Sequence, residues 1–394
     1  MSIRDVFPDA AHSTDGRTIL QLTSGGDFCY PLYYFIPSIT SDGRYMVYHR
    51  ETPGAVHEIQ LHRLDLATGE SVQLTEGTAE NAQWRPWGVD PARGILGDRS
   101  ALAPERGEVV YFDGRKARAV NLHTLEQRAL FDVPDDRFTL AQNCVTGDDQ
   151  WFVYVHVDRA AYENLLELRL VRGSAFRENA HTCKGTAIAA YNLDTGEHRT
   201  ILTLDYPVHH IQPYGERNLA FSHIPDDVYG MGYTSVDADD YTVPRPADEK
   251  GGKIIHHVPT ARGIAYEVRF RPDGMWAGLC DPDTGARREF PVPNGTNHTG
   301  LDPAGRLFFF QVGHDRINIM TRYDENGRHE WHDLFGRWRT YGDGQKSHLH
   351  PRLVLDRQWM QVVAGDPASG SNHIFLVDTS GFNETADFPA VGVE

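Results

Sequence analysis

The chain of 394 residues is 40% hydrophobic and 24% charged, enough to bury a large core yet long for one ordinary globular domain. Its formal net charge of -17 argues against nucleic-acid binding, which needs concentrated Lys and Arg, so an anionic ligand must meet a local cation instead. No stretch is apolar for long enough to span a membrane, and Met1 to Ala10 hold Arg4, Asp5 and Asp9 rather than an apolar leader. The scattered cysteines Cys29, Cys144, Cys183 and Cys280 form no CxxC pair and read as buried thiols of a reducing compartment, so a cytoplasmic location is expected.

Taken in order, the chain repeats one pattern at a period of roughly 40 to 50 residues. "SITSDGRYMVYHR" and "HEIQLHRLDLATGESVQLTEG" give a turn, two β-rich runs and an Asp-Leu-x-Thr-Gly turn. "GEVVYFDGRKARAVNLHTLEQRALFDVP" and "AIAAYNLDTGEHRTILTL" follow the same order. Further units begin near His209, His256, His298 and His348, with turns at "RPDG", "DPAG" and "VLDR". Short alternating or β-branched runs bounded by Gly, Asp and Asn are strand signatures. Seven such units predict an all-β fold, a seven-bladed β-propeller with four-stranded blades, as a single domain over residues 1–394. Loop insertions are expected at about 160–185, where a helix is possible, and at about 226–252.

In a propeller the innermost strands line a channel, so residues at the starts of the blades converge. The chain holds 20 histidines, and His209, His210, His256, His257, His298, His348 and His350 all sit at such starts. In "GQKSHLHPR", His348 and His350 are two apart and share one strand face, with Gln345 on the preceding turn. His298 in "TNHTGLDPAG" adds an imidazole from the neighbouring blade. Three imidazoles and an amide oxygen suit Mn, Fe, Ni or Zn better than Ca or Mg. An isolated His-x-His also decorates exposed strands.

These residues resemble the oligogalacturonate lyases over most of the chain. "LTSGGDFCYPLYYFIPSITSDGRYMVYHR" is similar to that family's first blade, "RAVNLHTLEQRALFDVPDD" to its second, "PYGERNLAFSH" to its fourth and "GQKSHLHP" to its metal-binding stretch. The resemblance implies a cytoplasmic seven-bladed propeller that binds a divalent metal, most readily Mn2+. It implies β-elimination on a short acidic oligosaccharide, with a 4,5-unsaturated uronate as product. It further implies His298, Gln345, His348 and His350 as metal ligands and His256 as catalytic base, with His257 as an alternative.

The departures bear on the substrate. Where the family carries a His-Arg pair, an aromatic cluster and a Gln, this chain has Tyr30, Pro31, Tyr33, Tyr34, Phe35 and Ile36, and Gln212 stands where an Arg would be. His223 matches a family histidine; Tyr233, ten residues on, takes the place of an assisting arginine and is a candidate proton donor to the leaving oxygen. His223, His210 and Tyr33 are candidate substrate contacts, Tyr33 by stacking on a sugar face. Fewer arginines imply fewer carboxylates to recognise, which favours a single uronate beside a neutral sugar. A non-catalytic sugar- or protein-binding propeller, and a metal-dependent hydrolase or isomerase, are the alternatives.

Overall fold

A computed structural model describes residues 2–12, 16–52, 55–76, 100–161, 185–206, 208, 210–225, 229–301, 308–313, 316–323, 329–333, 338–342 and 348–382. Among them, short β-branched and aromatic runs separated by Gly- and Asp-rich turns form antiparallel sheets of consecutive strands. Six are four-stranded. Their first strands are Cys29–Pro31, Ala101–Ala103, Arg137–Val145, Ile211–Tyr214, Lys253–Thr260 and Thr296–Leu301. A five-stranded sheet joins the two ends of the chain, in the order Arg352–Val354, Trp359–Asp366, Ser371–Asp378, Thr18–Gln21 and Asp9–His12. The fold is an all-β propeller with four-stranded blades.

The turn predicted from Asp-Leu-x-Thr-Gly recurs with one set of bonds. The Asp65 carboxylate accepts from the Ala67 N–H at 2.8 Å, and the Asn192 side chain accepts from Asp194 and Thr195 at 3.0 and 2.8 Å. Each turn closes on a glycine in the left-handed region, Gly69 at φ 78° and Gly196 at φ 75°. Closure of the ring rests on Thr18–Gln21, which pairs Ile19 with Val377, Leu20 with Leu376 and Gln21 with Phe375.

The core lies between neighbouring sheets. Val153, Ile188, Leu219 and Phe221 fill the space between the third and fourth four-stranded sheets, and Ile19, Phe309, Met360, Val362 and Phe375 that between the sixth and the five-stranded sheet. Fully burying a side chain of this kind stabilises by roughly 1.5–3 kcal/mol.

The segment expected as a loop insertion at about 226–252 differs from that expectation. It carries Gly230–Ser235 and Thr242–Arg245, the third and fourth strands of the fourth sheet. Glycine-rich "GMGYTS" hides the strand pattern because the Phe221 ring occupies the room a side chain would need: a Cβ on Gly232 would lie 2.3 Å from it. Most of the other expected insertion, at 160–185, lies outside the described residues. Among the described residues no helix is long and apolar enough to cross a membrane. Cys29, Cys144 and Cys280 are buried thiols without disulfides, and burial raises all three pKa values, Cys29 to about 12 and Cys280 to about 11. Cys183 lies outside the described residues.

Candidate active site

The first strands converge at one end of the ring, and two of them are bulged where they do so. The register of Lys253–Thr260 shifts between Ile255 and Val258, and that of Thr296–Leu301 between Asn297 and Gly300. His256 and His298 sit inside these bulges at φ 53° and 49°, and His350, just before Arg352–Val354, has φ 45°. A non-glycine residue in the left-handed region costs about 1–2 kcal/mol. Three histidines held there, two of them in bulges that re-aim their side chains, mark a strained and specifically built locus.

His298, His348 and His350 each offer a ring nitrogen, and the three nitrogens lie within 4.8 Å of one another. The His298 Nε2 is 3.4 Å from the His348 Nδ1 and 3.5 Å from the Tyr33 hydroxyl. Burial, and then the neighbouring histidines, hold His298 and His350 well below the usual imidazole range, so both rings are neutral and present lone pairs. The tautomer of His298 follows from Gln311, which is fully buried. Gln311 Nε2 donates to the Gly313 carbonyl at 2.6 Å, so its Oε1 accepts from the Leu349 N–H at 3.0 Å and from His298 Nδ1 at 3.1 Å. His298 Nε2 is left unprotonated, with its lone pair toward the other two imidazoles. Close neutral imidazoles anchored in this way fit a borderline divalent cation.

Beside this group the His256 ring lies 4.7 Å, centroid to centroid, from that of His298. Its Nδ1 is 3.0 Å from Glu267 Oε2. Burial pushes the Glu267 carboxyl up, but the Arg269 charge, His256 and the Thr299 N–H outweigh it and hold the group at about 2. Thr299 N donates to it at 2.6 Å and Arg269 Nε at 2.9 Å. An ionised Glu267 accepts the Nδ1 proton of His256, so His256 Nε2 is the unprotonated nitrogen. Burial lowers the His256 pKa and Glu267 offsets part of that. Arg269 also bonds Asn297, whose amide Nδ2 is 3.4 Å from His348 Nδ1, tying the two halves of the site together. His257 has no such carboxylate: both its ring nitrogens lack partners, and burial takes it to about 3.

Of the residues expected from the sequence, His210 and Tyr33 join the cluster. Tyr33 stacks on His210 at 5.8 Å and meets His350 edge-on at 5.1 Å, and His210 is 5.8 Å from His256. Tyr33, Tyr34 and Phe35 are 3%, 2% and 6% exposed and pack on one another as core aromatics. His223 lies at the same end of its blade, one residue from Ser222, which bonds the His210 carbonyl, and its Nδ1 is 2.6 Å from the Tyr206 hydroxyl. Tyr233 belongs to the third strand of its blade, about 10 Å out from the innermost strand at ~4.8 Å per strand. Its ring packs on Tyr214 at 5.9 Å, and burial with nearby Asp283 raises its hydroxyl to about 12. Gln345 and His209 lie outside the described residues. The sequence reading passed over Glu267, Arg269, Asn297 and Gln311; a charged pair inside the apolar strand "GIAYEVRFR" and a lone amide after three phenylalanines in "FFFQVG" are the signals that point to them.

The sequence profile of the oligogalacturonate lyase family matches residues 5–266. Oligogalacturonate lyase of Dickeya dadantii (strain 3937) is 24% identical over 90% of this chain and 86% of its own length. Oligogalacturonide lyase of Pectobacterium atrosepticum is 21% identical over 94% of both chains. Among solved structures, an oligogalacturonate lyase in complex with manganese superposes with a TM-score of 0.76 at 20% identity, covering 95% of this chain and 96% of the other. Oligogalacturonate lyase from Vibrio parahaemolyticus gives 0.75 at 17% identity, covering 95% and 97%. The matched segment contains His256, while His298, His348 and His350 lie beyond it within the span that the longer comparisons cover. The profile match over well beyond half of the sequence shows that this chain belongs to the oligogalacturonate lyase family.

Proposed function

We propose that the chain is a metal-dependent lyase that cleaves short uronate-containing oligosaccharides, oligogalacturonides in the first instance, by β-elimination. The observation that carries this reading is the carboxylate-anchored imidazole of His256 beside the ring of His298, itself one of three histidines with converging nitrogens. His298, His348 and His350 would hold the cation, with Gln345 as the fourth ligand that the family resemblance implies, and manganese suits these donors. When bound, the metal neutralises the uronate carboxylate and so lowers the cost of charge developing at C5. His256 Nε2 takes the C5 proton as the C4–O bond breaks and the C4=C5 double bond forms, and the imidazolium then gives that proton to the departing C4 oxygen. Glu267 holds the Nδ1 proton throughout, fixing the tautomer and stabilising the imidazolium that results. Tyr33 stacks on His210 and holds it beside His256.

This reading counts the five-stranded sheet as a seventh blade, closed by strands from both chain ends, so residues 1–394 form one seven-bladed domain. The buried thiols and the acidic sequence support a cytoplasmic place, with imported acidic oligosaccharide as substrate. The test is direct: manganese-loaded protein is incubated with di- and trigalacturonate. An ultraviolet-absorbing product, lighter than a hydrolysis product by one water, supports the lyase reading; saturated products point to hydrolysis and overturn it.

A further inference from the structure

A second feature of the channel shares the rings of Tyr34 and Phe35 with the histidine cluster, Tyr34 meeting His298 at 4.9 Å and Phe35 meeting His210 at 5.4 Å. A cavity of about 460 Å³ is lined by Tyr34, Phe35, Gln212, Tyr214, Thr260 and Arg352, among others, and among the described residues no histidine contributes to its wall. Arg352 enters it from the first strand of the five-stranded sheet and Gln212 from the fourth four-stranded sheet, so the cavity spans the ring.

Arg352 is a cation without an anion. Its NH1 donates to the Tyr34 carbonyl at 3.0 Å, and among the described residues it has no other hydrogen-bond partner and no carboxylate. A guanidinium keeps its charge at neutral pH. Gln212 is 1% exposed, and neither atom of its amide has a partner. Buried polar groups are ordinarily satisfied, and an unpaired buried charge is the most costly exception. A guanidinium without a carboxylate and an unpartnered amide at one cavity describe a complementary ligand: an anion small enough for the channel, with acceptors for both.

We propose that this cavity is a carboxylate-binding site next to the histidine cluster, in which an anion pairs with Arg352 and takes hydrogen bonds from the Gln212 amide. A guanidinium presents paired N–H donors in the geometry of a carboxylate, and Tyr34 and Phe35 offer an apolar wall for whatever carries it. The site stands whether or not the histidine cluster is a lyase centre. Two sources supply this chemistry, a free small carboxylate or the carboxylate of a uronate sugar.

The experiment uses the full-length, metal-free protein, so that a bound cation takes no part, and reads thermal melting with titrated galacturonate, acetate and galactose. Galacturonate is expected to raise Tm and galactose to leave it unchanged. Equal protection by acetate assigns the site to free carboxylates, and protection by galacturonate at far lower concentration assigns it to a uronate. In Arg352→Met the apparent affinity falls by at least about tenfold. Gln212→Leu, which retains the cation, weakens it as well and serves if Arg352→Met does not fold. No shift with either anion, an equal shift with galactose, or wild-type shifts in the folded variants overturns the proposal.

Discussion

The Nδ1 of His298 lies 3.1 Å from the Oε1 of Gln311, an amide whose other end is fixed by donation to the Gly313 carbonyl. Gln311 therefore sets which nitrogen of His298 faces the cation. Gln311→Leu removes that acceptor and leaves the ring free to turn. Manganese affinity, measured by titration calorimetry, is expected to fall about 10–100-fold while the fold is retained. Unchanged affinity would show that the ring is held by other contacts.

Glu267 is the corresponding group for His256. Glu267→Gln keeps the shape but takes away the charge that stabilises the imidazolium, and its amide can present N–H rather than oxygen to Nδ1. With galacturonate oligosaccharides, kcat is expected to drop by roughly 10²-fold or more, with KM and metal content close to wild type. A change confined to KM would place Glu267 in substrate binding instead.

The propeller was legible in the sequence because its repeat is made of strong local signals: β-rich runs and turns such as those closing on Gly69 and Gly196. The histidine cluster was legible where its members share a short motif, as His348 and His350 do, or occupy blade starts, as His256 and His298 do. Glu267 and Gln311 were not, because each works from the second strand of its blade through a bond across the sheet, and strand alternation does not say which buried polar residue faces which histidine. Tyr233 fared differently. Its place was inferred by counting residues from His223, but the chain turns from the second strand into the third before reaching it, which carries the side chain away from the axis.

Acid should weaken the fold through histidines buried in the neutral form. His156 accepts from Arg137 Nε at 2.8 Å, and burial together with the Arg137 charge lowers its pKa from 6.5 to about 4; burial and Arg50 bring His62 to about 4 also. The unfolded chain takes up protons on these groups below about 6.5, where the folded chain does not, so stability rises with pH across this window. The contribution is complete above pH 6.5 and is lost as pH falls toward 4. Urea unfolding of the metal-free protein at pH 7.5, 6 and 5 is expected to show falling midpoints, with a shallower fall in His156→Asn. A flat profile would mean that these rings are solvated.

Gly232 tests the packing that hid a strand from the sequence reading. A side chain there collides with the Phe221 ring, so Gly232→Val is expected to destabilise by about 1–3 kcal/mol, read as a lower urea midpoint. The double variant with Phe221→Leu should recover part of that loss. Wild-type stability in the single variant would mean that the ring has room to move.

The most direct measurement pairs two substitutions with two readouts, bound manganese and the ultraviolet-absorbing product. His256→Ala is expected to keep its metal and lose turnover by at least about 10²-fold, whereas His348→Ala loses both. A His256→Ala protein that turns over at the wild-type rate, or a His348→Ala protein that binds manganese as tightly as wild type, would contradict the assignment of base and ligands.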